Sequence, residues 1–267
     1  MRMLSWKRPI SNPTYNHINF VGLVFNQRGY ERALAAGCRA MAFGVAVSDT
    51  FSQRNTRRAS AEALATTRAL VAQAGRDGIW TRVYLMTAWV CPFEGKINPL
   101  RTIALAEQVW ALGIDELAVA DTIGHADPLA VGSLMENLGR RLDMSRLAVH
   151  LHDTQAIGLA NATTALQAGV RIFDSSVGGL GGCPFAPGAA GNLATEDLVF
   201  LAYKLGLGTG VDFESYGTLW MIWSSGWDGR LAGVFGPGGR ACAMRNRRSY
   251  SHSVPVLCAF HALPEVG

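Results

Sequence analysis

Two histidines separated by a single residue, His150 and His152 in VHLHDT, close an apolar run. Alternate side chains of an extended strand share a face, so both imidazoles project the same way. Such a pair could bind one divalent cation, or pack and hydrogen-bond at a strand end. Asp121, in AVADTIG, closes another apolar run, and Asn192 follows the glycine-rich stretch DSSVGGLGGCPFAPGAAGNLATED at 174–197. Two histidines with amide and carboxylate oxygens suit six-coordinate Mg²⁺ or Mn²⁺ better than a tetrahedral thiolate zinc site. Asp121 also reads as an acid/base, as an orienting carboxylate, or as a cap for the turn that Thr122 begins.

The glycine stretch is the second source of chemistry. Five glycines between Gly178 and Gly188 let backbone approach a ligand closely, and Cys183 sits among them. Backbone N–H groups around a thiol favour the thiolate, so Cys183 could give or take a proton at carbon, or simply be a small buried apolar residue. Cys91, in VCPFEGK, is a weaker candidate for the same role. Asn55 and Tyr84 lie near strand ends and read equally as pocket residues or as helix-start and core residues. His125 is expected in solvent.

These residues need a scaffold that brings strand ends together. Strands are expected at 17–25, 40–47, 81–88, 116–121, 147–152 and 171–175, with helices at 26–37, 60–74, 99–112, 128–142, 156–168 and 198–205. Short apolar strands alternating with amphipathic helices are parallel βα units. The fold class is therefore α/β, of the (β/α)8 TIM-barrel type but incomplete, with about six parallel strands. Three regions follow: an irregular segment 1–16, a barrel-like domain 17–214, and an atypical tail 215–267. The tail has no period of 2 or 3.6, and reads as a disordered or poorly packed end, or as a basic interaction tail through Arg240, Arg245, Arg247 and Arg248. An open sheet would expose apolar edges, so association is expected.

Composition narrows the class. Hydrophobic residues make up 49% of the 267 and charged residues 16%, which implies a sizeable core. The net charge of +4 comes with no aromatic-basic pattern across 15–214, which argues against nucleic acid as partner. No apolar run is long enough to span a bilayer, and MRMLSWKRP lacks the apolar stretch of a signal peptide. Five cysteines without framework spacing point to free thiols and a reducing compartment, the cytoplasm.

Taken together, FGVAVSDTFSQRN, CPFEGKINP, ADTIG, VHLHDT and above all SSVGGLGGCPFAPGAAGNLATED resemble the 3-hydroxy-3-methylglutaryl-CoA lyases. These belong to the metal-dependent barrel family that also holds the isopropylmalate and homocitrate synthases. The resemblance runs from about residue 17 to 214. It implies cleavage of an acyl-CoA substrate to acetyl-CoA and acetoacetate, as in leucine degradation and ketone-body formation, with Mg²⁺ or Mn²⁺ as cofactor. It implies His150, His152 and Asn192 as metal ligands, Cys183 as the catalytic thiol, and His150 and Asp121 as groups that move protons. Asn55, Tyr84, Thr122 and Glu196 match substrate-binding positions. The family's first strand carries an Arg-Asp pair with no counterpart here, because the opening strand matches the family's third. Ala118 stands where the family often has serine. Two other readings follow: a non-catalytic remnant that keeps half the site, and a condensing synthase, which the Cys183 loop disfavours. A homo-oligomer is left open.

Overall fold

The computed structural model describes residues 20–182 and 191–211, with the backbone of 256–258. In chain order the elements are β1 (Val21–Leu23), α1 (Gln27–Ala35), β2 (Ala40–Ala46), α2 (Asp49–Thr56), α3 (Ser60–Asp77), β3 (Trp80–Met86), the hairpin strands β4 (Val90–Cys91) and β5 (Gly95–Lys96), α4 (Pro99–Trp110), β6 (Glu116–Asp121), α5 (Pro128–Gly139), β7 (Leu147–Leu151), α6 (Gly158–Gln167), β8 (Ile172–Ser175), α7 (Thr195–Lys204) and β9 (Val256–Cys258).

Local chemistry sets most helix ends. Asn26, Asn98 and Asp127 accept hydrogen bonds from the first-turn N–H groups of α1, α4 and α5, and α4 and α5 open on proline, which lacks an N–H that would go unpaired there. Helix α3 stops at Gly78, whose φ of 65° is left-handed.

The main sheet runs β1-β2-β3-β6-β7-β8-β9, every neighbouring pair parallel. Register sorts its side chains into two faces. Phe43, Val83, Leu117 and Leu147 lie on one row, and Val45, Leu85, Val119, Val149 and Phe173 on the next. All are buried in one core with helix residues such as Leu70, Ile103, Val109, Leu134 and Leu138. Burying each such side chain contributes roughly 1.5–3 kcal/mol. The opposite face carries Arg82, Tyr84, Glu116, Ala118, Ala120, Ala148, His150 and Asp174.

This is the α/β, barrel-type fold expected, left open among the described residues: β1 lies at one edge and β9 at the other. Phe20, Leu23 and Phe25 are exposed around β1. Two differences stand out. Helix α2 was not anticipated, because DTFSQRNT holds only one large apolar residue; the Ser48 hydroxyl caps it by accepting from Phe51 N–H. The tail, expected without regular structure, contributes a seventh strand, β9, paired with β8. Residues 1–19, 183–190, 212–255 and 259–267 lie outside the described residues. Among those described, no helix is long and apolar enough to cross a membrane.

Candidate active site

The carboxyl end of β7 brings His150 and His152 together, with their Nε2 atoms 3.1 Å apart. Both are buried. Asn192 reaches the same place from the far side of the glycine stretch. It forms an antiparallel bridge with His152, flanked by hydrogen bonds from Leu193 N–H to Leu151 C=O (3.0 Å) and from Asp153 N–H to Gly191 C=O (2.9 Å). Asn192 Nδ2 donates to the Leu180 carbonyl at 2.7 Å, and its buried Oδ1 has no hydrogen-bond partner among the described residues. A buried acceptor without a donor is costly unless something else meets it. Two facing imidazole nitrogens, with this oxygen on the residue bridged through the backbone to His152, suit one divalent cation. Among the described residues, no group of three or more His, Cys, Asp or Glu side chains is gathered so as to hold a metal ion.

Beneath the histidines lies a buried ion network. Arg82 is 1% exposed and pairs with Asp174 (Nη1 to Oδ1, 2.7 Å) and with Glu116. Tyr84 receives a hydrogen bond from Arg82 (2.9 Å) and donates to Asp174 Oδ2 (2.7 Å), while its ring meets His150 edge-on. His150 Nδ1 lies 3.3 Å from the same Oδ2. Burial pushes Asp174 upward, but the Arg82 guanidinium and the bonds from His150 and Tyr84 outweigh it and hold the carboxyl down at about 2. Burial, reinforced by the Asp174 charge, raises the Tyr84 phenol well above its ordinary value. Tyr84 is thus part of the site and stays protonated.

The other expected residues divide. Asp121 shares a row with Leu151 rather than with His150, so its side chain leaves the sheet on the opposite face from the imidazoles. Its carboxylate accepts from the N–H groups of His125 (3.1 Å) and Ala126 (3.0 Å), which is the turn-capping alternative rather than a place beside the histidines. Burial pushes its pKa up, opposed by those N–H groups. Thr122 Oγ1 accepts from Thr87 N–H at 2.7 Å, tying the ends of β3 and β6. Asn55, exposed on α2, touches Met86 Sδ at the end of β3. Glu196 is buried at the start of α7 and accepts from Gly178 N–H at 3.1 Å, holding the entry to the glycine stretch. Cys183 lies outside the described residues. Cys91 is buried, with its sulfur 2.9 Å from Ser48 Oγ. His125 is exposed, as expected.

Sequence reasoning missed Arg82, Glu116 and Asp174 as a connected set. Each interrupts an apolar strand on the face that holds His150, and that signal was present in TRVYLM, ELAVAD and IFDS.

Comparisons with known proteins identify the family. A family model described as HMGL-like matches residues 13–219. A hydroxymethylglutaryl-CoA lyase of Bacillus subtilis is 39% identical over 197 residues, covering 74% of this chain and 66% of its own length. An (R)-citramalyl-CoA lyase of Chloroflexus aurantiacus is 42% identical over 202 residues, covering 76% and 64%. The chain therefore spans about two-thirds of the length of the curated relatives it matches. Among solved structures, the HMG-CoA lyase of Bacillus subtilis superposes with a TM-score of 0.78 at 36% identity over 82% of this chain and 74% of that one. An HMG-CoA lyase from Acinetobacter baumannii, in complex with coenzyme A and 3-methylmalate, gives 0.81 at 32% identity over 86% and 75%. With its sheet, its histidine pair and its glycine stretch all inside the matched span, the chain belongs to the HMGL-like family.

Proposed function

We propose that the chain is a carbon–carbon lyase that cleaves 3-hydroxy-3-methylglutaryl-CoA to acetyl-CoA and acetoacetate with the help of Mg²⁺ or Mn²⁺. The observation that carries this reading is the facing pair of His150 and His152 Nε2 atoms, with Asn192 bridged to His152 through the backbone and its Oδ1 without a donor among the described residues, at the base of the glycine stretch. These three residues would hold the cation. Once bound, it would supply Lewis-acid stabilisation to the substrate oxygen that loses its proton.

The chain's own residues account for the rest. A base removes the tertiary hydroxyl proton, and the oxygen's electrons form the ketone of acetoacetate. The broken carbon–carbon bond leaves its pair on the thioester as an enolate. Cys183 protonates that enolate carbon, giving acetyl-CoA. His150, which the resemblance marks as a group that moves protons, would face the reacting oxygen. Tyr84, held protonated and hydrogen-bonded to Asp174, lines the floor beside it. Asn55, on α2 against the end of β3, and Thr122, just past the end of β6, would line the way in for an acyl-CoA, and Glu196 fixes the start of the glycine stretch. Asp121 acts by holding the turn behind Thr122. The coenzyme A in the Acinetobacter relative supports an acyl-CoA substrate. Leucine degradation would use this reaction, and the free Cys38 and Cys91 suit the reducing cytoplasm.

The test is acetyl-CoA release from 3-hydroxy-3-methylglutaryl-CoA by the purified chain, with Mg²⁺ or Mn²⁺ and with a chelator, run beside (R)-citramalyl-CoA. Metal-dependent turnover that falls about 10²–10⁴-fold in Cys183→Ala sustains the reading. A second reading, a silent relative that keeps the cation seat, is favoured because no His, Cys, Asp or Glu side chain among the described residues joins the two histidines in a cluster that could hold a metal. Cooperatively folded protein that binds Mn²⁺ but turns over neither thioester would establish it. Condensation of acetyl-CoA with a keto acid would instead mark a synthase.

A further inference from the structure

We propose that Asp174, clamped by Arg82, is a positioning residue that fixes His150 in its Nδ1–H tautomer and aims its Nε2 at the point shared with His152. The proposal rests on the metal-binding reading above and adds to it the device that prepares one ligand.

The backbone imposes the pairing. His150 and Asp174 occupy the same row of adjacent parallel strands, so their side chains stand side by side on one face. Asp174 Oδ2 is the heavy atom that His150 Nδ1 meets, at 3.3 Å. The carboxylate is paired with a guanidinium that does not deprotonate in proteins, so it can only accept. The proton between the two groups therefore belongs to Nδ1. In a neutral imidazole the lone pair then falls on Nε2, the atom that faces His152 Nε2 at 3.1 Å. Turning the ring over would set a C–H against Oδ2 and forfeit the bond, so Asp174 decides ring orientation as well as tautomer.

The surroundings keep Asp174 from relaxing. Arg82 Nη1 occupies Oδ1, and the Tyr84 hydroxyl shares Oδ2 with His150. Glu116 holds the other side of the Arg82 guanidinium. Arg82 and Tyr84 stand on β3, with two strands between them and Asp174 on β8. They can cross because the inward positions in their way are Ala118, Ala120 and Ala148. The alanine at 118 makes sense here as clearance for the two long side chains. A ligand histidine whose second nitrogen donates to a buried carboxylate is a general way of fixing metal-binding geometry.

The experiment uses the full chain, uniformly ¹⁵N-labelled, and long-range ¹H–¹⁵N correlation of its imidazoles, with His150→Gln to assign the signal. His150 is expected as the Nδ1–H tautomer; finding Nε2–H in the wild-type protein would overturn the proposal without any further variant. Mn²⁺ binding followed by electron paramagnetic resonance supplies the second readout. Asp174→Asn is expected to scramble the His150 tautomer and raise the Mn²⁺ dissociation constant about 10–100-fold. His152→Ala should weaken Mn²⁺ while leaving the His150 tautomer unchanged. An Asp174→Asn protein with wild-type tautomer and Mn²⁺ affinity within twofold of wild type would also overturn the proposal. If Asp174→Asn does not fold, the wild-type spectrum decides. Neither readout uses turnover. Correct tautomer and Asp174-dependent Mn²⁺ binding without thioester cleavage would sink the lyase reading and sustain the proposal; cleavage by a protein with His150 as Nε2–H would do the reverse.

Discussion

The two faces of the central sheet are built on opposite principles. Toward the helices, β2, β3, β6, β7 and β8 present Phe43, Val45, Val83, Leu85, Leu117, Val119, Val149 and Phe173, all buried. On the other face β3, β6, β7 and β8 present Arg82, Tyr84, Glu116, His150 and Asp174, separated by alanines. Parallel strands covered on both sides usually read as continuous apolar runs. Here only one face follows that rule. The apolar face stabilises in small, nearly independent increments of buried area. The polar face is a set of charges each tolerable only because the others are present, since an isolated buried ion costs far more than a pair returns. Damage to the two faces should therefore differ in kind.

The largest expected effects probe that contrast directly. Phe43→Ala, on the apolar face, should lower unfolding free energy by about 3–5 kcal/mol in denaturant titration, without changing the Mn²⁺ affinity of the folded protein. Arg82→Met, on the polar face, should cost a similar about 3–5 kcal/mol by leaving Asp174 and Glu116 unpaired. The difference lies in rescue. Adding Asp174→Asn to Arg82→Met should recover about 1–3 kcal/mol relative to the sum of the single changes. Strict additivity would break the comparison, because it would make the polar face a collection of independent groups.

Smaller effects sharpen it at the rim. Gly191 has φ of 93°, and a Cβ there would lie 2.0 Å from the Gly181 carbonyl oxygen. Gly191→Ala should cost at least about 1–3 kcal/mol in thermal unfolding and weaken Mn²⁺ together with it. Wild-type protein with Mn²⁺ at about 100 times its dissociation constant should gain about 2.7 kcal/mol, reversed by a chelator. Asn192→Ala should lose most of that gain while sacrificing only about 1 kcal/mol of metal-free stability, the worth of its bond to Leu180. Equal gains in the two proteins would remove Asn192 from the cation seat.

The smallest effect comes from Glu94, away from both faces. Its carboxylate accepts from the Ser48 hydroxyl (2.6 Å) and Thr50 N–H (2.9 Å), fastening the β4–β5 hairpin to the start of α2. Partial burial opposes ionisation, but these bonds and Arg101 prevail and hold the carboxyl at about 2. A depressed carboxyl pKa stabilises the fold above its ordinary value near 4.5 and loses that contribution as pH falls from there through about 2. Glu94→Gln should therefore reduce stability by about 1 kcal/mol at neutral pH, converging with wild type near pH 2 in melting curves.

Much of this was legible in the sequence. Strand β6 is Glu116–Asp121, as its apolar run and flanking turn residues indicated, and α4 and α5 begin at Pro99 and Pro128 where Asn98 and Asp127 announce them. The histidine pair was legible because alternation alone puts positions 150 and 152 on one face. Its neighbours were not. Arg82 and Asp174 are 92 residues apart, and nothing local to either names the other. The face taken by Asp121 was equally hidden: a carboxylate at a strand end looks the same whether it meets an imidazole or caps a turn, and only the register with Leu151 decides. Strand β9 escaped because three residues are too few to show a period, and its pairing depends on β8 being available.

The bridge between His152 and Asn192, with Gly181 and Gly191 pressed against each other, makes residues 181 and 191 a single crossing point for the chain. The two described ends of the glycine stretch are thus held together at one place. A segment joined in that way is a natural graft: it can be lengthened, shortened or exchanged with that of a relative while the strands below keep their register. The placement of both ends is then set by the strands below, so the sequence between them can change without altering the bridge that seats Asn192 against His152.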